Sequence, residues 1–549
     1  MTRLFAVSLA SLVAFAAPLG AEEVPADLAM DVPEMVEEAH AAGIDQQYTG
    51  PWEYFVGGGV AAFDCNGDRL PDLAVAGGTS PASVYVNRSA IGGELRFEEK
   101  TDALPENARG HVTGLYALDV DNDGMRDLVE LRVGENVILK GGPDCTFTEA
   151  NRLFSLDGGR AWTTAFAATF EPDLPFPTLA FGNYVDRSAP GSPWGTCHDN
   201  VLMRPAASKP DPDYSEQQTL SPGFCALSMI FTDWNHSGEP ALRMANDRQY
   251  YRDGQEQLWR VSPGKPPRPY RSSDGWRPVQ IWGMGIAEAD LDNDGLPEYA
   301  LTSMGDTMLQ TLDDEAEPDR PVYRDIAYDN GATAQRPYTG DDLKPSTGWH
   351  AEFADFNNDG RLDLFIAKGN VQQMPDFAAY DPDNMLLGKA GGGFVEAGEQ
   401  AGIALPRRGR GAAVADFNMD GMLDLAVVNR EAPVSLFRNA GGHSPAGARP
   451  MGNWLEIELK QDGVNRDAVG ATVTVKSGNE TRTRKVHVGG GHASGSAGFV
   501  HVGTGTAERA EIRIQWPDGE WSAPYRVFAN NFVVIKRGAT AAQYWYPVE

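Results

Sequence analysis

Asp119-Val120-Asp121-Asn122-Asp123-Gly124-Met125-Arg126-Asp127 is one of five copies of a short acidic phrase that decides the fold of this chain. Each copy follows the pattern Asp-x-Asp/Asn-x-Asp-Gly-x-x-Asp/Glu, except that Arg69 replaces the glycine in the first. We name the copies by their first residues: the Asp64, Asp119, Asp290, Asp355 and Asp416 loops.

The spacing of the acids predicts a calcium site in each loop. Oxygens at positions one, three and five can converge on one cation if the backbone bends after position five, and glycine at position six permits that bend. A carbonyl at position seven and a carboxylate at position nine would complete about 6 to 8 oxygens. Without a cation, carboxylates roughly 4 Å apart would repel by about 4 kcal/mol per pair at an effective dielectric constant near 20.

About five structural calcium ions are therefore expected. The predicted ligands are Asp64, Asn66, Asp68, Asp72, Asp119, Asp121, Asp123, Asp127, Asp290, Asp292, Asp294, Glu298, Asp355, Asn357, Asp359, Asp363, Asp416, Asn418, Asp420 and Asp424. The alternative is a set of polar turns without ions, which are common singly. Five repeated copies argue against that alternative.

The composition favours a large β-rich repeat protein. The chain has 549 residues with 61 Gly and 37 Pro, and short apolar runs such as Leu425-Ala426-Val427-Val428 recur along it. The net charge of -31 argues against nucleic acid and anionic membrane surfaces as partners.

The amino terminus has the three regions of a secretory signal peptide. Met1-Thr2-Arg3 precedes an apolar run that ends near Ala17, and small residues follow up to Ala21, where we expect cleavage. No later segment is a candidate for a membrane span. The mature protein is therefore expected to be secreted or periplasmic, where four cysteines can pair. Neighbour pairing, Cys65 with Cys145 and Cys197 with Cys225, is the prediction, and free buried thiols are the alternative.

The starts of the loops measure the repeat. The gap between the Asp119 and Asp290 loops has room for two more units. One begins at Asp233 and has lost two of its acids, and the other, around Phe170 to Leu179, has lost them all. Neither is expected to hold calcium. Seven units with short strands predict a β-propeller, in which each blade is a four-stranded sheet around a central channel.

These residues resemble the FG-GAP/VCBS repeats of integrin-like propellers, and more closely the cartilage-acidic-protein-like family that ends in an ASPIC/UnbV domain. The carboxyl-terminal motifs Asn465-Arg466-Asp467-Ala468-Val469-Gly470-Ala471, Gly489-Gly490-Gly491-His492 and Ile514-Gln515-Trp516-Pro517-Asp518-Gly519 carry that resemblance. It implies an all-β fold, a seven-bladed integrin-like β-propeller with a small C-terminal β-sandwich domain. The predicted boundaries are a signal peptide at 1–21, an N-terminal segment at 22–50, the propeller at 51–450, the ASPIC/UnbV-like domain at 451–538 and a tail at 539–549.

In the propellers that this chain resembles, the calcium loop follows the innermost strand of each blade. Residues about eight and six positions before each loop should then lie at the channel mouth on the opposite face. The residues predicted to form a ligand site there are His111, Trp162, Trp282, Trp349, His350, Arg408 and Arg410. Aromatic faces and arginine forks suit a carbohydrate or an anion. The alternative is that the tryptophans wedge the blades together and the arginines pair with nearby acids.

Two functions remain open on the sequence. The first is an exported, calcium-stabilised binding or scaffold protein for a glycan, a protein or a small anion. The second is a propeller enzyme, such as a polysaccharide lyase or hydrolase, with His111, His350 and Arg410 in acid-base and charge-stabilising roles. No sequence motif of a known catalytic mechanism favours the enzyme, and a fold alone does not imply an activity.

Overall fold

A computed structural model describes residues 32–189, 196–247, 254–277, 279–313, 316–317, 319–333, 347–371, 381–442 and 451–548. The predicted signal peptide lies outside the described residues. Two short α-helices, α1 (Ala39–Ala42) and α2 (Gly398–Ala401), accompany the strands. In the part of the chain just defined, no helix has both the length and the apolar character that a bilayer crossing requires.

The first half of the chain supplies the strands of four sheets and, in addition, an early strand that joins the last sheet of the propeller. In chain order these strands are β1 (Pro33–Glu37), β2 (Val60–Phe63), β3 (Asp72–Val75), β4 (Ser83–Asn87), β5 (Phe97–Glu99), β6 (Val112–Leu118), β7 (Asp127–Arg132), β8 (Val137–Gly142), β9 (Thr146–Glu149), β10 (Thr163–Thr169), β11 (Thr178–Asn183), β12 (Asn200–Met203), β13 (Gln217–Leu220), β14 (Ala226–Thr232), β15 (Ala241–Asn246), β16 (Gln257–Arg260) and β17 (Arg268–Pro269).

The second half continues the same pattern and then changes it. Its propeller strands are β18 (Gly283–Ala289), β19 (Glu298–Ser303), β20 (Met308–Leu312), β21 (Tyr323–Asp325), β22 (Gly348–Ala354), β23 (Asp363–Lys368), β24 (Asn384–Gly388), β25 (Phe394–Glu396), β26 (Gly409–Ala415), β27 (Asp424–Asn429) and β28 (Ser435–Gly442). The remaining strands are β29 (Asn453–Lys460), β30 (Thr472–Ser477), β31 (Glu480–Lys485), β32 (Ser494–Gly495), β33 (Val500–Gly505), β34 (Arg509–Gln515), β35 (Tyr525–Phe528), β36 (Asn531–Lys536) and β37 (Gln543–Trp545).

Seven antiparallel sheets form a ring in the described residues. The sheets are β2 to β5, β6 to β9, β10 to β13, β14 to β17, β18 to β21, β22 to β25, and β26 to β28 with β1. The first strand of each sheet contacts the first strand of the next, and β26 contacts β2, so the ring closes. The prediction of an all-β propeller fold is confirmed, and each sequence unit, including the two without a full set of acids, corresponds to one sheet.

The ring closes by joining the two ends of the propeller. Strand β1 pairs antiparallel with β28, with Met35 opposite Asn439 and Glu37 opposite Phe437. The predicted propeller start at residue 51 leaves this strand out. Pairing an early strand with the last sheet covers the edge of β28, whose backbone would otherwise be unpaired.

The carboxyl-terminal domain consists of two further sheets packed face to face. One has the order β33-β29-β36-β37 and the other β31-β30-β34-β35. Alternating side chains of both sheets, including Leu455, Val473, Ile512 and Val533, form a common buried core. Strand β37 pairs with β36 and so belongs to this domain, although residues 539–549 were predicted to be a tail.

Both predicted disulfides are present, and neither leaves a free thiol. Cys65 pairs with Cys145, joining the first two sheets, and Cys197 pairs with Cys225. The neighbour pairing is confirmed. Structural disulfides fit a protein exported to an oxidising compartment.

Candidate functional site: the Asp loops and the channel

Each Asp loop connects the first and second strands of its sheet, so all five lie on one face of the ring, which we call the Asp-loop face. Position one closes the turn: Asp119 Oδ2 accepts a hydrogen bond from Gly124 N at 3.0 Å, and Asp416 Oδ2 accepts one from Gly421 N at 2.7 Å. Gly124 and Gly421 have φ of 95° and 84°, a left-handed conformation that favours glycine. The bend at position six therefore favours glycine.

The Asp64 loop adopts the same turn with arginine in place of glycine. Arg69 has φ of 70° and donates from its backbone N to Asp64 Oδ2 at 2.9 Å. Its side chain is held by the carboxyl-terminal domain: Nε donates to Glu458 Oε2 at 2.9 Å, and the guanidinium lies 5.3 Å from the ring centre of Trp545. These contacts explain an arginine at a strained position, since the side chain gains partners that glycine could not reach.

Position nine has a structural role that the spacing did not reveal. Asp127 accepts from Val120 N with Oδ2 and from Gly141 N with Oδ1, both at 2.8 Å, so it ties the loop to the third strand of its sheet. The equivalent acids Asp72, Asp363 and Asp424 make the same pair of bonds. Burial raises the pKa of Asp127 to about 8 and that of Asp72 to about 7.

Several loop oxygens are buried without a hydrogen-bond donor in the described structure. They are Asp119 Oδ1, Asp290 Oδ1 and Asn418 Oδ1. An oxygen removed from water without a partner is costly, and a divalent cation would satisfy it. One oxygen each from Asp119, Asp121 and Asp127 lies within 4.8 Å of the others, as do those of Asp290, Asp292 and Asp294. The acids therefore fit a hard cation, and FG-GAP-type loops often bind calcium.

Charge neutralisation from the protein is incomplete in these loops. Lys140 Nζ contacts Asp121 and Asp123 of the Asp119 loop, and Arg361 contacts Asp359 of the Asp355 loop. Burial raises the pKa of Asp119 to about 6 and that of Glu298 to about 7, because a charged carboxylate is disfavoured away from water.

The Asp233 turn has the backbone shape of the other loops with fewer acids. Asp233 accepts hydrogen bonds from the N–H groups of Ser237 and Gly238, both at 2.9 Å. Ser237 and Ala241 occupy the positions at which the other loops place carboxylates. Hydrogen bonds alone can thus maintain the turn where the acids are missing.

On the opposite face, the chain's own residues 52–58, which we call the capping segment, cover the channel mouth. Trp52 packs edge-on against Trp162 with ring centres 4.9 Å apart. Arg410 donates from Nε to Phe55 O at 2.8 Å, and its guanidinium lies 4.1 Å from the ring centre of Trp349. Trp162, Trp349 and Arg410 are consequently buried to within about 1% of complete exclusion from solvent.

The seven side chains predicted to share one open funnel are divided among three environments. Three are the buried residues just described. His111, Trp282 and Arg408 reach the surface of the opposite face, where His111 Nδ1 lies 2.6 Å from Tyr54 Oη and Arg408 pairs with Glu431 at 2.5 Å. His350 lies further inside the channel, 3.1 Å from Glu352 Oε2.

A loop of the carboxyl-terminal domain enters the channel from the Asp-loop face. Residues 488–497, which we call the channel loop, bond to the first strands of several sheets: Gly490 N to Met229 O at 2.6 Å, Gly491 N to Ile286 O at 2.7 Å, and Ala497 N to Ala62 O at 2.9 Å. Strand β32 of this loop pairs in parallel with β6. Gly489-Gly490-Gly491-His492 of this loop was recognised as a family motif in the sequence. No repeat pattern in the sequence indicated that the loop enters the propeller.

His492 at the tip of the channel loop meets the capping segment. Its Nε2 accepts from Gly57 N at 3.1 Å, and its backbone N donates to His350 Nδ1 at 3.1 Å. Burial, with Arg410 and His350 nearby, lowers the pKa of His492 to about 3. The imidazole is therefore neutral at physiological pH, and the channel is filled from both ends.

A chamber of about 800 Å³ lies between the Asp-loop face and the carboxyl-terminal domain. Residues of the first strands, such as Glu288, His350 and Glu352, line it on one side, and Arg484, His487 and Phe499 line it on the other. His350 therefore opens toward the Asp-loop side of the channel, away from His111.

Comparison with known proteins agrees with this architecture. Residues 461–542 match the family described as ASPIC and UnbV, and residues 64–130 match the FG-GAP-like repeat. Cartilage acidic protein 1 of Mus musculus is 24% identical over 494 residues, which are 84% of this chain and 70% of that protein. The Homo sapiens protein of the same name is 29% identical over 173 residues, 30% of this chain and 24% of that protein. These matches confirm the resemblance predicted from the sequence.

Among solved structures, BBS1N in complex with ARL6DN aligns with a TM-score of 0.41 at 9% identity, covering 73% of this chain and 96% of that one.

Proposed function

We propose that this chain is an exported binding or scaffold protein whose β-propeller is stabilised by calcium in about five Asp loops. The observation that carries the proposal is the set of buried loop oxygens without hydrogen-bond donors, Asp119 Oδ1, Asp290 Oδ1 and Asn418 Oδ1, at the predicted ligand positions. The two disulfides and the signal-peptide pattern at residues 1–21 support export.

The calcium role has a direct test in the full chain. Isothermal titration of chelator-treated protein should show uptake of about five ions, and Asp121→Asn or Asp292→Asn should each remove one. The matched control is Asp233→Asn, because the Asp233 turn lacks the other acids and is expected to hold no ion. No calcium uptake by the wild-type chain would contradict the proposal.

The ligand site belongs on the opposite face, where His111, Trp282 and Arg408 are accessible. Trp282 is 39% exposed and offers an apolar ring face, while Arg408 offers a charged fork beside Glu431. The buried residues beneath them, Trp162, Trp349 and Arg410, fix the surface on which these side chains lie. The class of ligand that fits is a glycan, a protein or a small anion.

The enzyme alternative has less geometric support. His111 lies on the opposite face, His350 opens toward the chamber, and Arg410 is buried under the capping segment. A single reacting group could not contact all three. The arrangement therefore favours binding over the lyase or hydrolase chemistry.

Binding of a glycan and anion panel to the full chain tests the ligand site. Trp282→Ala and Arg408→Ala should each weaken a bound member of the panel at least 10-fold. Trp521→Ala should not, although Trp521 is 51% exposed on the carboxyl-terminal domain. Equal losses in all three variants would refute this location. Turnover of a uronic-acid polysaccharide that disappears in His111→Ala would restore the enzyme alternative.

A further inference from the structure

Four of the five Asp loops contact the carboxyl-terminal domain, and the Asp355 and Asp416 loops form the most deeply buried part of that contact. Main-chain carbonyls of the Asp355 loop accept hydrogen bonds from Gly452 N at 3.3 Å, from Gly505 N at 3.0 Å and from Arg482 Nε at 2.6 Å. These carbonyls belong to Asn357, Asn358 and Gly360, which are positions three, four and six of the loop.

A series of side-chain hydrogen bonds strengthens the same contact between the Asp355 loop and the carboxyl-terminal domain. His501 joins Glu456 Oε1, at 2.6 Å from Nδ1, to Asn358 Oδ1, at 2.7 Å from Nε2. Asn358 Nδ2 then donates to Gly421 O at 2.8 Å, so the Asp355 and Asp416 loops are also joined to each other. The docking surface is thus continuous across two sheets.

The domain covers the predicted ion ligands directly. A Cβ atom at Gly503 would lie 2.0 Å from Asp355 Oδ2, and one at Gly421 would lie 1.7 Å from the indole of Trp454. The backbone of β33 and the ring of Trp454 therefore rest on the two loops. Only glycine permits such close approach.

Burial at position five separates the five loops into two groups, since Asp359 and Asp420 are half-buried whereas Asp68, Asp123 and Asp294 are exposed. In the Asp355 and Asp416 loops, positions one, three and nine are all buried, with Asn418 and Asp424 fully excluded from solvent. In the Asp290 loop, Asp292 and Asp294 are exposed, and none of its residues forms a hydrogen bond with the described residues of the carboxyl-terminal domain. An ion in that loop would meet solvent.

We propose that calcium ions in the Asp355 and Asp416 loops are enclosed beneath the carboxyl-terminal domain, so that ion binding and domain docking stabilise each other. This inference rests on the proposed calcium function. The interaction surface is the ion-bound turn, and its partner is the carboxyl-terminal domain of the same chain.

The physical reason is that the domain recognises the shape of the turn. The three docking carbonyls have fixed directions only while the side chains at positions one, three and five converge. Without an ion, the buried carboxylates of Asp355, Asp359 and Asp363 repel one another, which weakens the turn. By thermodynamic linkage, the factor by which bound calcium increases the docking equilibrium constant equals the factor by which docking increases calcium affinity.

Release kinetics from the calcium-loaded full chain test the enclosure. After mixing with an excess of chromophoric chelator, ions from the Asp64, Asp119 and Asp290 loops should leave in a fast phase and the two enclosed ions in a phase at least 10-fold slower. Arg482→Ala, which removes the bond to Gly360 O, should speed the slow phase at least 10-fold. The matched control is Arg526→Ala, since that side chain is 85% exposed on the same domain.

Hydrogen exchange provides the reciprocal test without altering the domain. Asp359→Asn and Asp420→Asn should each increase exchange at the Gly452 and Gly505 amides at least 10-fold, whereas Asp294→Asn should affect only its own loop. These variants remove one charge and keep the side-chain shape, so folding should persist even if Arg482→Ala does not fold.

The possible outcomes separate the two proposals. Calcium uptake with a single release phase, or with exchange at Gly452 and Gly505 unchanged in Asp359→Asn and Asp420→Asn, would overturn the enclosure and leave the calcium function standing. Absence of calcium uptake would overturn both.

Discussion

Replacing Gly59 with alanine should displace the channel loop from the propeller. Gly59 precedes β2, and a Cβ atom there would lie 1.8 Å from the carbonyl oxygen of Ala493 and 2.7 Å from its carbon. Both partners are backbone, so no side-chain rotation can relieve the overlap. The channel loop must therefore move away from the first strands.

The magnitude follows from the bonds around that carbonyl. Ala493 O accepts from Leu115 N at 3.0 Å, and the neighbouring Ser494 Oγ accepts from Val60 N at 3.0 Å. Leaving two buried amides unsatisfied costs about 1–3 kcal/mol each. Overpacking of a tight interior adds about 1–3 kcal/mol. The expected destabilisation is about 3–9 kcal/mol, at or above the upper end of single substitutions.

Thermal unfolding and hydrogen exchange of the Gly59→Ala protein measure this effect. The melting temperature should fall by several degrees, and amides of residues 488–497 should lose protection while the carboxyl-terminal core keeps it. Gly110→Ala is the matched control, because no atom lies within 4 Å of a Cβ added there. If Gly59→Ala has the same melting temperature as Gly110→Ala and the amides of its channel loop stay protected from hydrogen exchange, the insertion of the channel loop is refuted.

Three further predictions concern buried charge and cross-links. The folded pKa of His492, about 3, lies below the unfolded value of 6.5, so its contribution to stability is present above pH 6.5 and is lost on acidification. The melting temperature of His492→Gln should therefore fall less between pH 6.5 and pH 4 than that of the wild type. Parallel curves of melting temperature against pH would contradict the buried neutral imidazole. Burial raises the pKa of Glu130, whose oxygens find no hydrogen-bond donor among the described residues, from 4.5 to about 8, so stability falls as pH rises between these values. Glu130→Gln should gain up to about 5 kcal/mol of stability over the wild type at pH 9 and little at pH 4, and an equal gain at both would exclude titration as the cause. Replacing the Cys65–Cys145 bridge with two alanines should lower the free energy of unfolding in denaturant by about 4.5 kcal/mol, because the bridge closes a loop of 80 residues. Replacing Cys197–Cys225, which closes 28 residues, should lower it by about 3.6 kcal/mol. A larger loss for Cys197–Cys225 than for Cys65–Cys145 would contradict the loop-entropy account.

The spacing of the Asp loops predicted most of the propeller because that information is local. Each loop must follow a first strand and precede a second, so the acids at Asp64 and Asp416 mark the same place in different sheets. The unit at Asp233 was recognisable since its turn keeps enough of the pattern. Neighbour pairing of the cysteines was predicted from their order along the chain alone, and it is confirmed.

Contacts between distant parts of the chain were not predictable in the same way. Gly57 and His492 are 435 positions apart, and neither lies in a repeat that would relate them. Pro33–Glu37 has no Asp loop to mark it as a propeller strand. For the same reason, Trp162 and Arg410 could be placed at the channel mouth from the sequence, while the capping segment that buries them could not.

The position-nine acids show where a ligand pattern concealed a second role. Asp127 and Asp424 each accept two backbone hydrogen bonds, so their substitution should loosen the sheet as well as the ion site. The spacing of the sequence identifies the carboxylate at position nine. It does not identify the backbone N–H group of the third strand that donates to this carboxylate, because packing sets the register of that strand.

Thermal melting of the full chain with and without a calcium chelator tests the central claim most directly. If each of five sites has a dissociation constant near 10⁻⁴ M, millimolar calcium adds roughly 1.4 kcal/mol per site and about 7 kcal/mol in total, comparable with the net stability of a domain. The account predicts a melting temperature that rises steeply with calcium and falls on chelation. A melting curve that is the same with calcium and with chelator would contradict it.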